Sequence, residues 1–267
     1  MTDLGLCWRI EEACWNGRPS PVEAYFDGWL IRASGGPVRR TNSVNATRQA
    51  TKDFASVITE AERVYDGLGR PTIFKVPSFA NDIDDALASR GYAVLAESKV
   101  LLAPLQRTMT EPEDIEIDTG PPGDEWIEAW SVMEGPASAI AVEAFRRSVD
   151  SIVLPTAFAC VRVDDRIVSV AYGVVHRGLI VLEAVATHPD FRGRSYASRT
   201  VSGLLAWGNR QGAYDACLAV MADNPPALAL YRSLGFSREA YTYYYRRREP
   251  SAIRSQSVEP LDGVDTP

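Results

Sequence analysis

Ala186-Thr187-His188-Pro189-Asp190-Phe191-Arg192-Gly193-Arg194-Ser195-Tyr196-Ala197 is the stretch whose reading decides the fold. Ahead of it, Leu179 to Ala186 is apolar at most positions, the pattern of a buried strand. Behind it, Ala197, Val201, Leu204, Leu205 and Trp207 recur at helical spacing, and Gly212 supplies a stop. A strand feeding a short turn that opens a helix is an anion-binding device. The first helical N–H groups lack partners, and the helix dipole adds partial positive charge. Small side chains let a phosphate approach the main chain, while Arg192 and Arg194 bring mobile charge. The chain has no G-x-x-x-x-G-K-[ST], which argues against a P-loop, and no G-x-G-x-x-G follows a first strand.

A second segment lies one helix and one strand (Tyr214 to Met221) further on: Asn224-Pro225-Pro226-Ala227-Leu228-Ala229-Leu230-Tyr231-Arg232-Ser233-Leu234-Gly235-Phe236. Asn224 suits an N-cap, Pro225 the first helical turn, and Gly235 the stop, with Tyr231 turned back toward the strands.

Together the segments resemble the signatures of the GNAT acetyltransferase superfamily. Its acetyl-CoA loop reads Arg or Gln, two residues, Gly, one residue, then Gly or Ala, with a Pro upstream. Arg192, Ala197 and Pro189 fit that pattern, and Ser195 stands where the family usually has Gly. The serine either donates its hydroxyl to the phosphate or caps the helix. The resemblance implies an α/β (α+β) GNAT acyl-CoA N-acyltransferase fold, with helices flanking a mixed, mostly antiparallel sheet. It also implies acetyl-CoA as co-substrate. Val185, Ala186 and Thr187 would bind the pantetheine arm as an added strand. The amides of Arg192, Gly193, Arg194, Ser195, Tyr196, Ala197 and Ser198 would hold the pyrophosphate, with Asn224 and Ala227 flanking the arm.

Acetyl transfer to an amine needs a neutral nucleophile, a donor to the developing oxyanion, and a proton for the leaving thiolate. Tyr231 is the candidate acid, or else a core tyrosine. Glu183, in the otherwise apolar run Leu179 to Val185, is the candidate base through a water; a buried carboxylate there must be used or paired. Its alternatives are an open-face glutamate or a partner for an arginine. The Val185 N–H is the oxyanion donor by resemblance only. His188 is a weaker base candidate expected to face solvent, and His176 reads as surface.

Composition bounds the rest. At 267 residues the chain fits one large or two small domains, and 46% hydrophobic content with mixed charge is globular. A net charge of -7 argues against nucleic acid or an anionic membrane as main partner and suits a cationic amine. The start Met1-Thr2-Asp3-Leu4 shows no signal peptide. Cys7, Cys14, Cys160 and Cys217 have no metal-like spacing and read as reduced thiols of a cytoplasmic protein, so no metal is expected.

In order, the chain reads as a helix (Gly5 to Asn16) and strands over 28–34 and 38–44 around Gly35-Gly36-Pro37. A helix over 51–68, a strand over 72–76, a helix over 82–90 and one or two strands over 93–105 follow. The second half reads as strand 115–117, helices 123–133 and 137–149, and a hairpin (156–163, 167–175). The opening stretch, the Asn224 helix and an aromatic strand over 236–248 complete it. The halves repeat weakly, with Gly91-Tyr92 aligned to Gly235-Phe236 and Leu87 to Tyr231. The expected organisation is a degenerate GNAT-like domain over 1–107, a catalytic domain over 111–248 and a disordered tail over 249–267; the alternative for the first half is an unrelated α+β domain whose element order coincides. The acceptor wall would draw on Trp126, Trp130, Met133 and the run Tyr241 to Tyr245, in which Tyr241, Tyr243 and Tyr245 share one face; the alternative is that the tyrosines serve sheet packing or a dimer contact, and Arg246 to Arg248 read as a solvated strand end.

The expected activity is transfer of acetyl to a primary amine of a small molecule or peptide, directly in a ternary complex, by a monomer or homodimer. The alternatives are a non-catalytic acyl-CoA-binding module or an acyltransferase using another acyl-CoA.

Overall fold

The computed structural model describes residues 3–106, 111–135 and 138–250, so most of the expected tail lies outside the described residues. Chain order runs α1 (Leu4–Gly17), β1 (Glu23–Phe26), β2 (Trp29–Arg32), β3 (Val44–Ala46), α2 (Phe54–Gly67), β4 (Thr72–Pro77), α3 (Asp84–Ser89) and β5 (Ala93–Pro104). It continues with β6 (Glu116–Asp118), α4 (Asp124–Glu134), α5 (Ala139–Asp150), β7 (Thr156–Val163), β8 (Arg166–His176), β9 (Leu179–Thr187), α6 (Tyr196–Arg210), β10 (Asp215–Met221), α7 (Pro225–Ser233) and β11 (Arg238–Arg248).

All the strands join one sheet in the order β1-β2-β3-β4-β11-β5-β10-β9-β8-β7-β6. Most neighbours run antiparallel; β3 with β4 and β10 with β9 are parallel. The last strands of the two halves have traded places. β5 hydrogen-bonds to β10, from Asp215↔Pro104 to Met221↔Ser98, and β11 inserts between β4 and β5. The sheet therefore runs unbroken through the expected boundary between halves.

The internal repeat is visible in matching helix ends. The Tyr92 N–H donates to the Leu87 carbonyl at 3.1 Å, and the Phe236 N–H to the Tyr231 carbonyl at 3.0 Å. Gly91 and Gly235, with φ of 78° and 91°, make these left-handed stops.

One face of the central strands is covered by α1, whose Cys7, Ile10 and Ala13 meet Val100, Leu102, Leu179, Val181 and Tyr241. The opposite face is covered by α6 through Val201, Leu204, Leu205 and Trp207. Within the first cluster Lys75 reaches both carboxylate oxygens of Glu11 at 2.6 and 2.8 Å, and Tyr241 donates to Glu11 at 2.6 Å. Burial opposes the charge on Lys75, but Glu11 outweighs it and holds the ammonium protonated.

Several local expectations change. The first hairpin is β1–β2 around Asp27-Gly28, where both φ angles are positive, as a two-residue turn requires. Gly35-Gly36-Pro37 instead leads into a 3-10 turn over Arg39–Thr41, and the following strand starts at Val44. The segment 93–104 is one strand bent by a bulge: Ala96 has φ 45° and sits where the β11 register skips. Arg246 to Arg248 are not a solvated end. Arg246 grips Asp84 with two bonds of 2.8 and 2.7 Å, and Arg248 meets Glu62 at 2.6 Å, because β11 lies inside the first half's sheet.

Candidate active site

Strands β9 and β10 pair over three residues only, from Asp215↔Leu179 to Cys217↔Val181, and then part. Beyond that point each keeps its outer neighbour, so the sheet splits into a V. A bulge in β9 marks the split. The register with β8 jumps from Tyr172↔Glu183 to Val170↔Ala186, placing one extra residue on β9, and Ala184 takes a left-handed φ of 53°. Such a bulge re-aims the backbone and ends regular pairing beside a site. A cavity of about 510 Å³ fills the V, lined by Leu182 to Val185, Leu218 to Met221, Asn224, Ala227 and Tyr231. Val185 thus lies at the opening as expected, while Ala186 and Thr187 continue β9 paired to Val170 and Ser169.

The loop after β9 has the geometry of an anion cradle. A 3-10 turn over Pro189–Phe191 reverses the chain, and Gly193 and Ser195 then adopt φ of 76° and 62°. Ser195 occupies the N-cap of α6 in left-handed conformation and makes no side-chain capping bond, which removes the capping reading. A left-handed residue at this position accounts physically for the glycine usual in the resemblance. The Arg192 amide donates to Pro189 at 3.3 Å and is committed to the turn. The amides from Gly193 to Ser198 have no intramolecular acceptor among the described residues, and the last three of these residues, Tyr196 to Ser198, open a 15-residue helix. Arg192 donates from Nε to the Thr187 carbonyl at 3.3 Å, and the Arg194 guanidinium lies over Phe191. Residues 193–198 thus fit a diphosphate, with main-chain donors and positive φ angles at its approach.

Asn224 caps α7, its Oδ1 accepting from the Ala227 N–H at 3.2 Å. This fixes the helix that carries Tyr231. The tyrosine is buried at 7% exposure, lines the cavity, and packs against Phe236. Its hydroxyl has no hydrogen-bond partner among the described residues. Burial pushes its pKa up to about 12, with the Glu183 carboxylate adding and Arg40 opposing.

Glu183 is buried and paired. Arg40 Nη1 donates to Oε1 at 2.5 Å, and Arg18 Nη1 lies 3.7 Å from Oε2, which accepts no hydrogen bond. Both arginines come from the first half of the chain. Burial alone would disfavour the charge on Arg40, but Glu183 overrides it and keeps the guanidinium ionised. The arginines are in turn placed by Arg32, fully buried, which donates to the carbonyls of Arg18 and Arg40 at 2.6 and 2.8 Å. No motif in the sequence announced Arg18, Arg39, Arg40 or Arg32. The only hint was the cost of a carboxylate in an apolar strand.

Of the expected acceptor wall, Trp130, Tyr243 and Tyr245 line the cavity. Trp126 is packed under the sheet with its Nε1 donating to Ala159, Met133 belongs to the α4 core, and Tyr241 is spent on Glu11. The two histidines are mostly covered. His188 stacks edge-on against Phe191 and accepts from the Asp190 amide, and His176 bonds Asn16. Burial pulls His176 below the usual imidazole range. No cysteine lines the cavity, all four thiols are free, and no metal-ligand cluster occurs among the described residues. No helix among them is long and apolar enough to cross a membrane.

The family model described as probable histone acetyltransferase Rv0428c C-terminal matches residues 8–245. The chain belongs to this family. Its unit spans both halves, in keeping with the shared sheet. The acyltransferase class and the GNAT fold follow, and relatives agree. An uncharacterized N-acetyltransferase, YobR of Bacillus subtilis, is 26% identical over 256 residues, covering 93% of this chain and 100% of the relative. A GCN5-related N-acetyltransferase from Kribbella flavida superposes with a TM-score of 0.65 at 16% identity, covering 94% of this chain and 98% of that one. A tandem GNAT protein from the clavulanic acid biosynthesis pathway gives 0.59 at 14% identity, covering 81% and 76%.

Proposed function

We propose that this acetyltransferase takes acetyl-CoA as co-substrate and moves the acetyl group to a primary amine of a small molecule or peptide. Transfer is direct, in a ternary complex in the cytoplasm. The observation that carries the reading is the run of free amides from Gly193 to Ser198 beside the split of β9 and β10, with Tyr231 on its wall.

The amides and the dipole of α6 hold the pyrophosphate, and Val185 to Thr187 guide the arm toward the bulge. The Val185 N–H, turned by the bulge, faces the thioester oxygen as negative charge develops. The amine attacks as the neutral base, forming the C–N bond as the C–S bond breaks. Tyr231 gives its proton to the leaving sulfur and is reprotonated by the proton the amine sheds. Glu183 orients the amine: Oε2 is open to accept a hydrogen bond, while Arg40 and Arg18 hold the carboxylate in place. Its two arginines, Arg18 buried and Arg40 half-buried, balance the carboxylate's charge, so Glu183 acts here as a hydrogen-bond acceptor for the amine. The absence of a cysteine on the cavity wall favours direct transfer.

Acetyl-CoA should raise the melting temperature, and thiol release across a panel of amines should fall at least about 100-fold in kcat for Tyr231→Phe. No thermal shift would remove the cofactor reading, and an unaffected rate would remove Tyr231 from the acid role.

A further inference from the structure

The cavity in the V is completed by the first half of the chain, and that contribution is cationic. Arg18 caps α1, and Arg39 and Arg40 form the 3-10 turn before β3. Arg40 is committed to Glu183. Arg39 is not: half-buried on the cavity wall, its guanidinium lies 5.4 Å over the Tyr245 ring and has no carboxylate partner among the described residues. Arg18, at 5% exposure and beside Glu183, keeps a buried Nε without an acceptor among the described residues. The Tyr245 hydroxyl, buried on the same wall, also has no hydrogen-bond partner among the described residues. Buried donors without acceptors cost stability unless something completes them. Against these stand Glu183, buried and with Oε2 free of hydrogen bonds among the described residues, and the exposed Glu134.

We propose that the acceptor is a small amine carrying a carboxylate, which Arg39 and Tyr245 bind while Glu183, held by Arg18 and Arg40, receives the amine. This assignment rests on the function proposed above and deepens it. It gives the first half of the chain a role: with no phosphate loop of its own, it supplies the acceptor's anion site. A guanidinium fork matches a carboxylate and rejects a second cation. A lysine-rich protein tail, despite the histone in the family's description, would bring like charge to this wall. The volume of about 510 Å³ must also admit the acyl arm, which leaves room for a compact acceptor.

The test uses the full chain loaded with acetyl-CoA. Glycine, β-alanine, 4-aminobutyrate, glutamate and lysine are compared with their carboxamides, with phosphoethanolamine and a lysine-rich peptide alongside. Both calorimetric binding and thiol release are read. The best carboxylated acceptor should exceed its carboxamide at least about tenfold in kcat/KM, as charged hydrogen bonds at a desolvated site predict. Arg39→Gln should collapse that ratio toward one, and Arg39→Lys should restore part of it. A panel in which no carboxylated amine outperforms its carboxamide overturns the assignment, whether both react equally or neither binds. Preference for the peptide or for phosphoethanolamine overturns it as well. Failure of acetyl-CoA to stabilise the chain is a separate readout and sinks the cofactor reading instead.

Discussion

Glu183 shows how one side chain can be legible as an anomaly and illegible as a part. Its place in an apolar strand says that it must be used or paired; which arginines pair with it depends on a chain reversal more than a hundred residues away. Removing it leaves Arg40 and Arg18 facing each other in a buried site. Loss of one member of such a cluster costs about 3–5 kcal/mol, so Glu183→Ala should lower the melting temperature by about 10 °C. An unchanged melt would show that the cluster does not support the fold. Tyr231 makes a different prediction, on pH. Its pKa is raised to about 12, so its protonated form persists above the ordinary phenol value of about 10. The neutral fraction of the amine grows over the same range. The rate should therefore climb with pH and show no falling limb below about pH 10, and Tyr231→Phe should lower the profile without moving its rise. A falling limb near pH 8 that disappears in Tyr231→Phe would contradict this.

Among the elements, strands and helices with strong periodicity were readable: α1, α2, α6, β7, β8 and β9 fall within a few residues of their expected spans. The Arg192–Ala197 loop and the Asn224 cap were readable because each needs particular residue types at fixed spacing. The β1–β2 hairpin was missed because Gly35-Gly36-Pro37 is the louder turn signal, although Asp27-Gly28 is the one whose φ angles close a hairpin. The bulge at Ala184 was invisible, since alanine gives no sign of a left-handed conformation. That bulge sets a test of the element. Deleting Ala184 would let Val185 pair where the extra residue now sits and would restore an even register between β8 and β9. The deletion variant should still fold cooperatively by circular dichroism and lose most of the acetyl-CoA-induced thermal shift. A full thermal shift would mean that the split of β9 from β10 does not depend on the bulge.

For the whole molecule, the exchange of β5 and β11 decides what counts as a unit. A reading by halves places a boundary near residue 107, and composition offers nothing against it, because strand partners are a property of topology rather than of local sequence. In the sheet, β10 has β5 as its outer neighbour along its full length, and β11 makes its ladder entirely with strands of the first half. The α1 helix also covers Leu179 and Val181 of β9, and Tyr172 donates to the Gly17 carbonyl at 3.0 Å. A fragment of residues 111–250 would expose the apolar face beneath α1 and the edge of β10, and would carry β11 as a strand with no partner, a template for aggregation. It should be insoluble or melt without cooperativity. Expressed together with residues 1–106, it should be recovered as a one-to-one complex that acetyl-CoA stabilises, since every strand pairing is then available without the covalent link. A soluble fragment of residues 111–250 that melts cooperatively and is stabilised by acetyl-CoA unaided would show that the exchange is dispensable. In that event the arginines on the cavity wall would be an addition to a site complete without them.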